Sequence, residues 1–446
     1  MMMLQILIKI NFYIHGRKII MKKRIVAALL VAVMTLSMLT GCHDSSGGAA
    51  MDVSQTDYDP AEAVKDFEFR ELNDVEKDYV VELGYFNCDH MCCGIIAEKA
   101  GIYDALGIKI NLTKSPETVN ALISGAMDVG YMFFSKNLMA EDSPVFQASA
   151  NHIGGSRYLV VNPDVIDVND PKSLEGKTIG AVSETSTNSE WRKWSEEYGF
   201  SFKEEDYNLV TMGQQDAMFA LKAGQVDAFT CCDPYASHAE FEGFGKIMCI
   251  SWGANLEEGE LLTDDNASTC CSYAMTKAFR EQCPELSRRM IYAHMLAVQY
   301  LYTHPYNAAL MFADGFDAEP YVGLRTVYMK TVAEGRTITW QWSEQNMQNN
   351  EEFDRQWTNP SIPEEDIITV EDSQSSLALS GEIFEDAGIR DFKEFIAEEV
   401  DSIFPLGMTF EDWYNAAIII DGVAPEDAVD ITATATPYLN ENLEEK

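Results

Sequence analysis

Hydrophobic and polar positions alternate through V-V-E-L-G-Y-F (80–86) and I-K-I-N-L-T (108–113), which predicts two strands. Between them, I-I-A-E-K-A-G-I-Y (95–103) has helical spacing and a glycine near its end. Three further strands are expected at R-Y-L-V-V-N (157–162), after the loop that opens S-L-E-G-K-T-I-G-A-V (173–182), and at S-T-C-C-S-Y-A-M-T-K (268–277). S-E-T-S-T-N-S-E-W (183–191) opens a helix with several candidate caps. From 278 to about 312 the apolar period turns helical, and 313–446 is acidic and mainly helical, with one strongly apolar run at 413–420. That last part is expected to pack onto the first half of the fold.

One pattern occurs twice. V-N-A-L-I-S-G-A-M-D-V-G-Y (119–131) and M-F-A-L-K-A-G-Q-V-D-A-F-T (218–230) share A-L-x-x-G-x-x-D: Ala121, Leu122, Gly125 and Asp128 against Ala220, Leu221, Gly224 and Asp227. Each predicts a helix closed by glycine that leads through Asp into a strand. Two copies about a hundred residues apart imply two similar α/β lobes. No shorter period recurs, so a solenoid is not expected.

The N-terminus changes where this body should reside. M-K-K-R at 21–24 precedes a 16-residue apolar run and then L-T-G-C (39–42), the layout of an export signal. The run falls short of the roughly 20 residues a spanning helix needs. Residues 1–20 read as a misassigned upstream start, and H-D-S-S-G-G-A-A after Cys42 reads as a flexible tether. Residues 1–41 hold six Lys/Arg and no Asp or Glu, so the chain from Cys42 onward carries 26 basic and 72 acidic residues, net −46. Such a field excludes nucleic acid and anionic lipid headgroups as partners.

The densest chemistry is F-N-C-D-H-M-C-C-G (86–94), with three cysteines, a histidine and an aspartate in six positions. Cys231 and Cys232 end the strand of the second repeat, just before Asp233-Pro234-Tyr235, and Cys270 and Cys271 lie on the strand at 268–277.

G-Y-F-N-C-D-H (84–90), E-K-A-G-I-Y (98–103), both A-L-x-x-G-x-x-D segments, S-L-E-G-K-T-I-G-A-V and V-D-A-F-T-C-C-D-P-Y (226–235) together resemble the extracytoplasmic solute-binding proteins of ABC importers for nitrate, sulfonates, taurine and thiamine-pyrimidine precursors. L-T-G-C resembles the lipoprotein box, which implies lipidation at Cys42. The resemblance covers roughly 80–300. It implies an α/β, two-lobed periplasmic-binding-protein-like fold of type II, whose lobes are joined by two crossing strands and close on ligand. Those crossings are expected at 157–162 and at C-C-S-Y-A-M. The implied organisation is a signal peptide over 1–41, a lipidated cysteine and tether over 42–77, a first lobe over 78–160, a second over 161–270, and a return to the first over 271–446 with an acidic helical extension. The implied partners are a small-molecule solute and a membrane permease with its ATPase, for a monomer held on the extracytoplasmic face.

In such lobes, ligands meet the carboxyl ends of strands and the amino ends of helices. The expected ligand-binding residues are therefore Asn87, Cys88, His90, Cys92, Phe134, Ser135, Ser186, Thr187, Cys231, Cys232, Asp233 and Tyr235. Four readings of the cysteines stand open. They are small apolar wall residues; or disulfides suited to an exported chain, Cys88 with Cys92 or Cys93; or metal ligands, with Cys88, His90, Cys92 and Cys231 as candidates; or a redox centre, against which the missing C-x-x-C context counts. The resemblance includes eukaryotic thiamine-pyrimidine synthases with a cysteine-rich motif. This chain lacks that motif and reads as exported, so neither enzyme activity nor a cofactor is expected. Tyr85, Phe86, Phe134, Trp191, Tyr235 and Trp252 are aromatics that could stack on a ligand, and His152 could reach the cleft. His294 and His304 read as structural. Asp89, Glu184 and Asp233 in facing loops disfavour a bound anion, which points to a neutral or zwitterionic heterocycle or sulfur compound.

Overall fold

The duplicated aspartate shows why the two lobes are alike. In the computed structural model, Asp128 Oδ2 accepts from Glu82 N at 2.9 Å, and Asp128 N donates to Glu82 O at the same distance. Asp227 repeats both bonds on Thr178, at 2.9 and 2.7 Å. In each copy the leucine is buried, and the glycine, at φ 73° and 68°, takes the left-handed turn that closes the helix. The carboxylate thus fixes the start of one strand against its neighbour, once per lobe. The structure describes residues 58–431 except 156, 182–188, 252–253, 255–259, 264 and 358–366.

Ten strands form two five-stranded sheets: β1 (Val81–Tyr85), β2 (Ile110–Lys114), β3 (Val129–Phe133), β4 (Val145–Ile153), β5 (Arg157–Val161), β6 (Thr178–Ala181), β7 (Asn208–Thr211), β8 (Ala228–Cys231), β9 (Lys246–Ser251) and β10 (Thr269–Thr276). The first sheet runs β2-β1-β3-β10-β4 and the second β7-β6-β8-β5-β9. In each, four strands run one way and one, β10 or β5, runs against them, so two of the four pairings are parallel and two antiparallel. The two-lobed α/β expectation is met. The strands named as crossings are not the crossings. β5 pairs only with β8 and β9, and β10 only with β3 and β4. Full backbone pairing holds each inside one sheet, so the chain passes between lobes just after Ile153 and again between Ser251 and Thr269.

The helices that position the site are α1 (Cys93–Lys99), α2 (Thr118–Ser124), α3 (Ser189–Tyr198), α4 (Gln214–Lys222), α5 (Tyr235–Phe241), α6 (Pro284–Thr303), α7 (Pro305–Phe316), α8 (Pro320–Tyr328), α9 (Glu344–Trp357), α10 (Val370–Ala387) and α11 (Phe410–Ile420). The segment beyond 313 does more than pack on the first lobe. α8 also grips α5 of the second: Arg325 donates to Ser237 Oγ at 2.6 Å and pairs with Glu240 at 3.1 Å. On the first lobe, β4 is an edge strand of nine buried residues. Its free backbone is met by the extension. Ile153 N donates to Thr337 O, Thr339 N to Asn151 O, Gln147 N to Ser376 Oγ on α10, and Ser380 Oγ to Ala148 O. Residues 413–420 lie in α11, with Trp413 fully buried against Tyr328 and Phe410. No helix among the described residues is long and apolar enough to cross a membrane.

Candidate functional site

Both sheets end their parallel strands at one cavity of about 840 Å³. Phe86 and Asn87 follow β1, Phe133 ends β3, Cys232 follows β8, and Gly213 and Gln214 open α4, so the wall is strand carboxyl ends and a helix amino end. One side is apolar: the Phe86 and Phe133 rings meet at 4.7 Å, beside Val119. Phe133 is 44% exposed, unusual for a ring in a packed lobe. The polar side carries Asn87, Gln214 and Tyr235, with two cationic groups, Lys114 and Arg157, and two anionic ones, Glu190 and Asp216.

Of the residues expected from sequence, Asn87, His90, Cys232 and Tyr235 line this cavity. Cys88 sits directly behind, its Sγ 2.9 Å from His90 Nε2. Cys92 is buried where α1 begins, hydrogen-bonded to Cys93, and does not reach the wall. Cys231 is corrected: alternation along β8 puts it on the face of Phe229, inside the second lobe's core with Tyr158 and Val160, so it faces neither ligand nor metal. Asp233 turns its carboxylate away to accept from Ser237 N at 2.9 Å and Ser237 Oγ at 2.7 Å. Phe134 packs on Trp342 at 5.5 Å, and Ser135 precedes a one-turn helix, accepting from Leu138 N through its carbonyl with no cap from its side chain. Ser186, Thr187, Trp252 and Cys42 lie outside the described residues. Tyr85 packs on Phe316, and Trp191 belongs to the second lobe's core. His152 is buried and stacked on His90 at 4.3 Å. His294 is structural, its Nε2 2.9 Å from Ala150 O; the His304 ring stacks on Tyr300. The nine described cysteines are unpaired, so the Cys88 disulfide is not formed.

Sequence reading missed the charges behind the floor. Lys330 lies in a π-helical turn that continues α8, with Nζ 3.0 Å from both Asp89 Oδ2 and Glu334 Oε2. Side-chain exposure is 2% for the lysine and 0% for each carboxylate. Burial works against the ammonium, but Asp89 and Glu334 outweigh it and hold Lys330 above its ordinary pKa. Glu334 also accepts from Tyr158 OH of the second lobe, and Asp89 N donates to Asp233 O at 2.8 Å, so both lobes are tied beneath the cavity. Arg157 Nη1 approaches Cys232 Sγ at 3.7 Å. The signals available were a lysine and glutamate four apart in an apolar helical run, and an arginine opening an apolar strand.

The floor's protonation follows from these neighbours. Burial lowers His90 to about 4 against the opposing pull of Asp89, and Lys330 and Arg157 push the same way, so its imidazole is neutral at pH 7. Burial raises the Cys88 thiol. A hydrogen bond from Cys88 lowers Cys232 despite burial, helped by Arg157.

Residues 74–313, more than half of the 446, match the model of the NMT1-like family. The chain belongs to the NMT1-like family. A protein of Bordetella bronchiseptica RB50 shares the fold at TM-score 0.51 and 15% identity, over 70% of this chain and 99% of its own. Also similar are the periplasmic nitrate-binding protein NrtA of Synechocystis PCC 6803 (TM-score 0.49, 11% identity, 77% and 98% covered) and the alkanesulfonate-binding protein SsuA of Xanthomonas axonopodis pv. citri bound to MOPS (0.48, 15%, 65% and 96%). No curated protein matches the chain.

Proposed function

We propose that this NMT1-like protein is the substrate-binding component of an ABC importer, anchored to the extracytoplasmic face through a lipid on Cys42. It captures a small organic solute between its lobes and passes it to a membrane permease served by an ATPase. The observation that carries this reading is the cavity itself. About 840 Å³ at the facing strand ends is the size of a small-molecule site. Among the described residues the two cationic and two anionic groups of the wall balance, which favours a neutral or zwitterionic solute over a simple anion, with a flat or apolar part against Phe86 and Phe133. Nitrate and alkanesulfonates, named for the two similar proteins above, fit this balance less well than a zwitterion does.

Native mass spectrometry of protein purified from its host is the direct test, and a retained solute of one mass is the expected result. Phe133→Ala should weaken that solute about tenfold, ~1.4 kcal/mol, while the apo melting temperature stays put, because so exposed a ring contributes little to the core. An unchanged affinity would place the solute elsewhere. Cys42→Ala should move the protein from the membrane fraction to the soluble one; persistence with membranes would sink the lipid anchor.

A further inference from the structure

We propose that the floor of the cavity is a binding site for a thiophilic transition-metal ion, of the Zn(II) or Cu(I) class, held by His90 with Cys270 and Cys271 and closed from behind by Cys88. The proposal rests on the reading of the cavity as the ligand site and names part of what that site takes, either a free ion or the metal centre of an organic complex.

The donors come from two distant segments. Cys270 and Cys271 are neighbours on a strand and would ordinarily point to opposite faces. Here β10 slips its register on β4, so that Thr269 faces Ile153 and Cys271 faces His152, which leaves Cys270 as an extra, bulged residue. A bulge re-aims a side chain. The two sulfurs end 3.5 Å apart, Cys270 reaches the cavity wall, and both lie within 4.8 Å of a His90 ring nitrogen. Cys88 Sγ stands 2.9 Å from His90 Nε2, making His90 common to two donor groups. A tetrahedral ion with bonds of about 2.0–2.3 Å sets its donors roughly 3.3–3.8 Å apart, the range in which the Cys270 and Cys271 sulfurs lie.

Two observations beyond the donors point the same way. His90 Nδ1 is buried without a hydrogen-bond partner, 3.4 Å from Asp89 Oδ1, whose other oxygen Lys330 holds, so this ring nitrogen is free to take an ion. Behind His90 the stacked His152 is fully buried, and neither of its ring nitrogens has a hydrogen-bond partner. A second buried imidazole without hydrogen-bond partners is likewise an exception that a purely structural floor leaves unexplained. On binding, each thiol that ligates loses its proton to solvent.

The test uses the full chain, reduced with a phosphine and freed of metal under anaerobic conditions, then titrated with Co(II), Zn(II) and Cu(I) alone. One equivalent should bind, with thiolate-to-cobalt charge-transfer absorption. His90→Ala and Cys270→Ser should each weaken binding about tenfold or more. Cys283→Ala, outside the cavity, should leave it unchanged, and denaturant unfolding of each variant separates lost ligands from lost fold. Substoichiometric uptake, a spectrum without sulfur character, or affinity indifferent to His90 would overturn the proposal, as would a Cys270–Cys271 disulfide in metal-free protein from the host. Native mass spectrometry keeps the two readings apart. An organic solute without metal preserves the importer reading and sinks this one; a metal ion alone supports this one and displaces the organic solute; a metal complex supports both.

Discussion

Lys330→Met should destabilise the protein by about 3–5 kcal/mol, the usual cost of removing one partner from a buried ion pair. The lysine is the shared counter-charge of Asp89 and Glu334, both shut off from solvent. Methionine fills similar volume, so packing loss is small and the cost is that of two orphaned carboxylates. Adding Asp89→Asn and Glu334→Gln to the variant should recover most of the loss. Urea unfolding of all three proteins measures it, and a loss under about 1 kcal/mol for the single change would show that the triad contributes little.

Asp421 gives the second large effect. It follows α11, and its Oδ2 accepts from Asn307 N at 3.0 Å in the first turn of α7, a helix whose own preceding residue, His304, provides no cap. Burial raises this carboxyl to about 7, although the α7 bonds pull it down. The sign is that of a raised acid. Below about pH 4 the folded and unfolded states both carry the proton and nothing is lost. As pH climbs toward 7 the unfolded chain ionises first, and stability falls until the folded group ionises too. From 3.8 to about 7 is roughly three units, ~4 kcal/mol at 1.36 kcal/mol each. Asp421→Asn keeps an oxygen for Asn307 and removes the titration. The stability difference between variant and parent should move in the variant's favour by a few kcal/mol between pH 4 and pH 8. A difference independent of pH would mean that Asp421 titrates normally.

How much of this was legible in the chain depended on how local the cause was. The A-L-x-x-G-x-x-D pair was readable because each position has one local job: leucine to the core, glycine to the left-handed turn, aspartate to the neighbouring strand. The placing of Asn87, His90, Cys232 and Tyr235 followed from strand ends alone. Cys231 was misread because its face depends on whether β8 ends at 231 or 230, a one-residue matter that flips a side chain. β5 was misplaced because membership of a sheet is set by partners far away in sequence. Lys330 and Glu334 carry no sign of burial beyond the four-residue spacing of a helical pair, because their partner Asp89 lies more than two hundred residues earlier.

The seal along β4 has a consequence for what counts as one folding unit here. The match to the family ends at 313, yet the loop backbone and serines that occupy the outer margin of the first sheet come from 337–380. Cut at 313, the chain would lose these partners and leave the nine-residue edge strand β4 with its amides and carbonyls bare, a template for a neighbour's strand to dock on. The acidic tail therefore reads as the protein's own guard against fibre-like self-association, permanently engaged and carried on the same polypeptide.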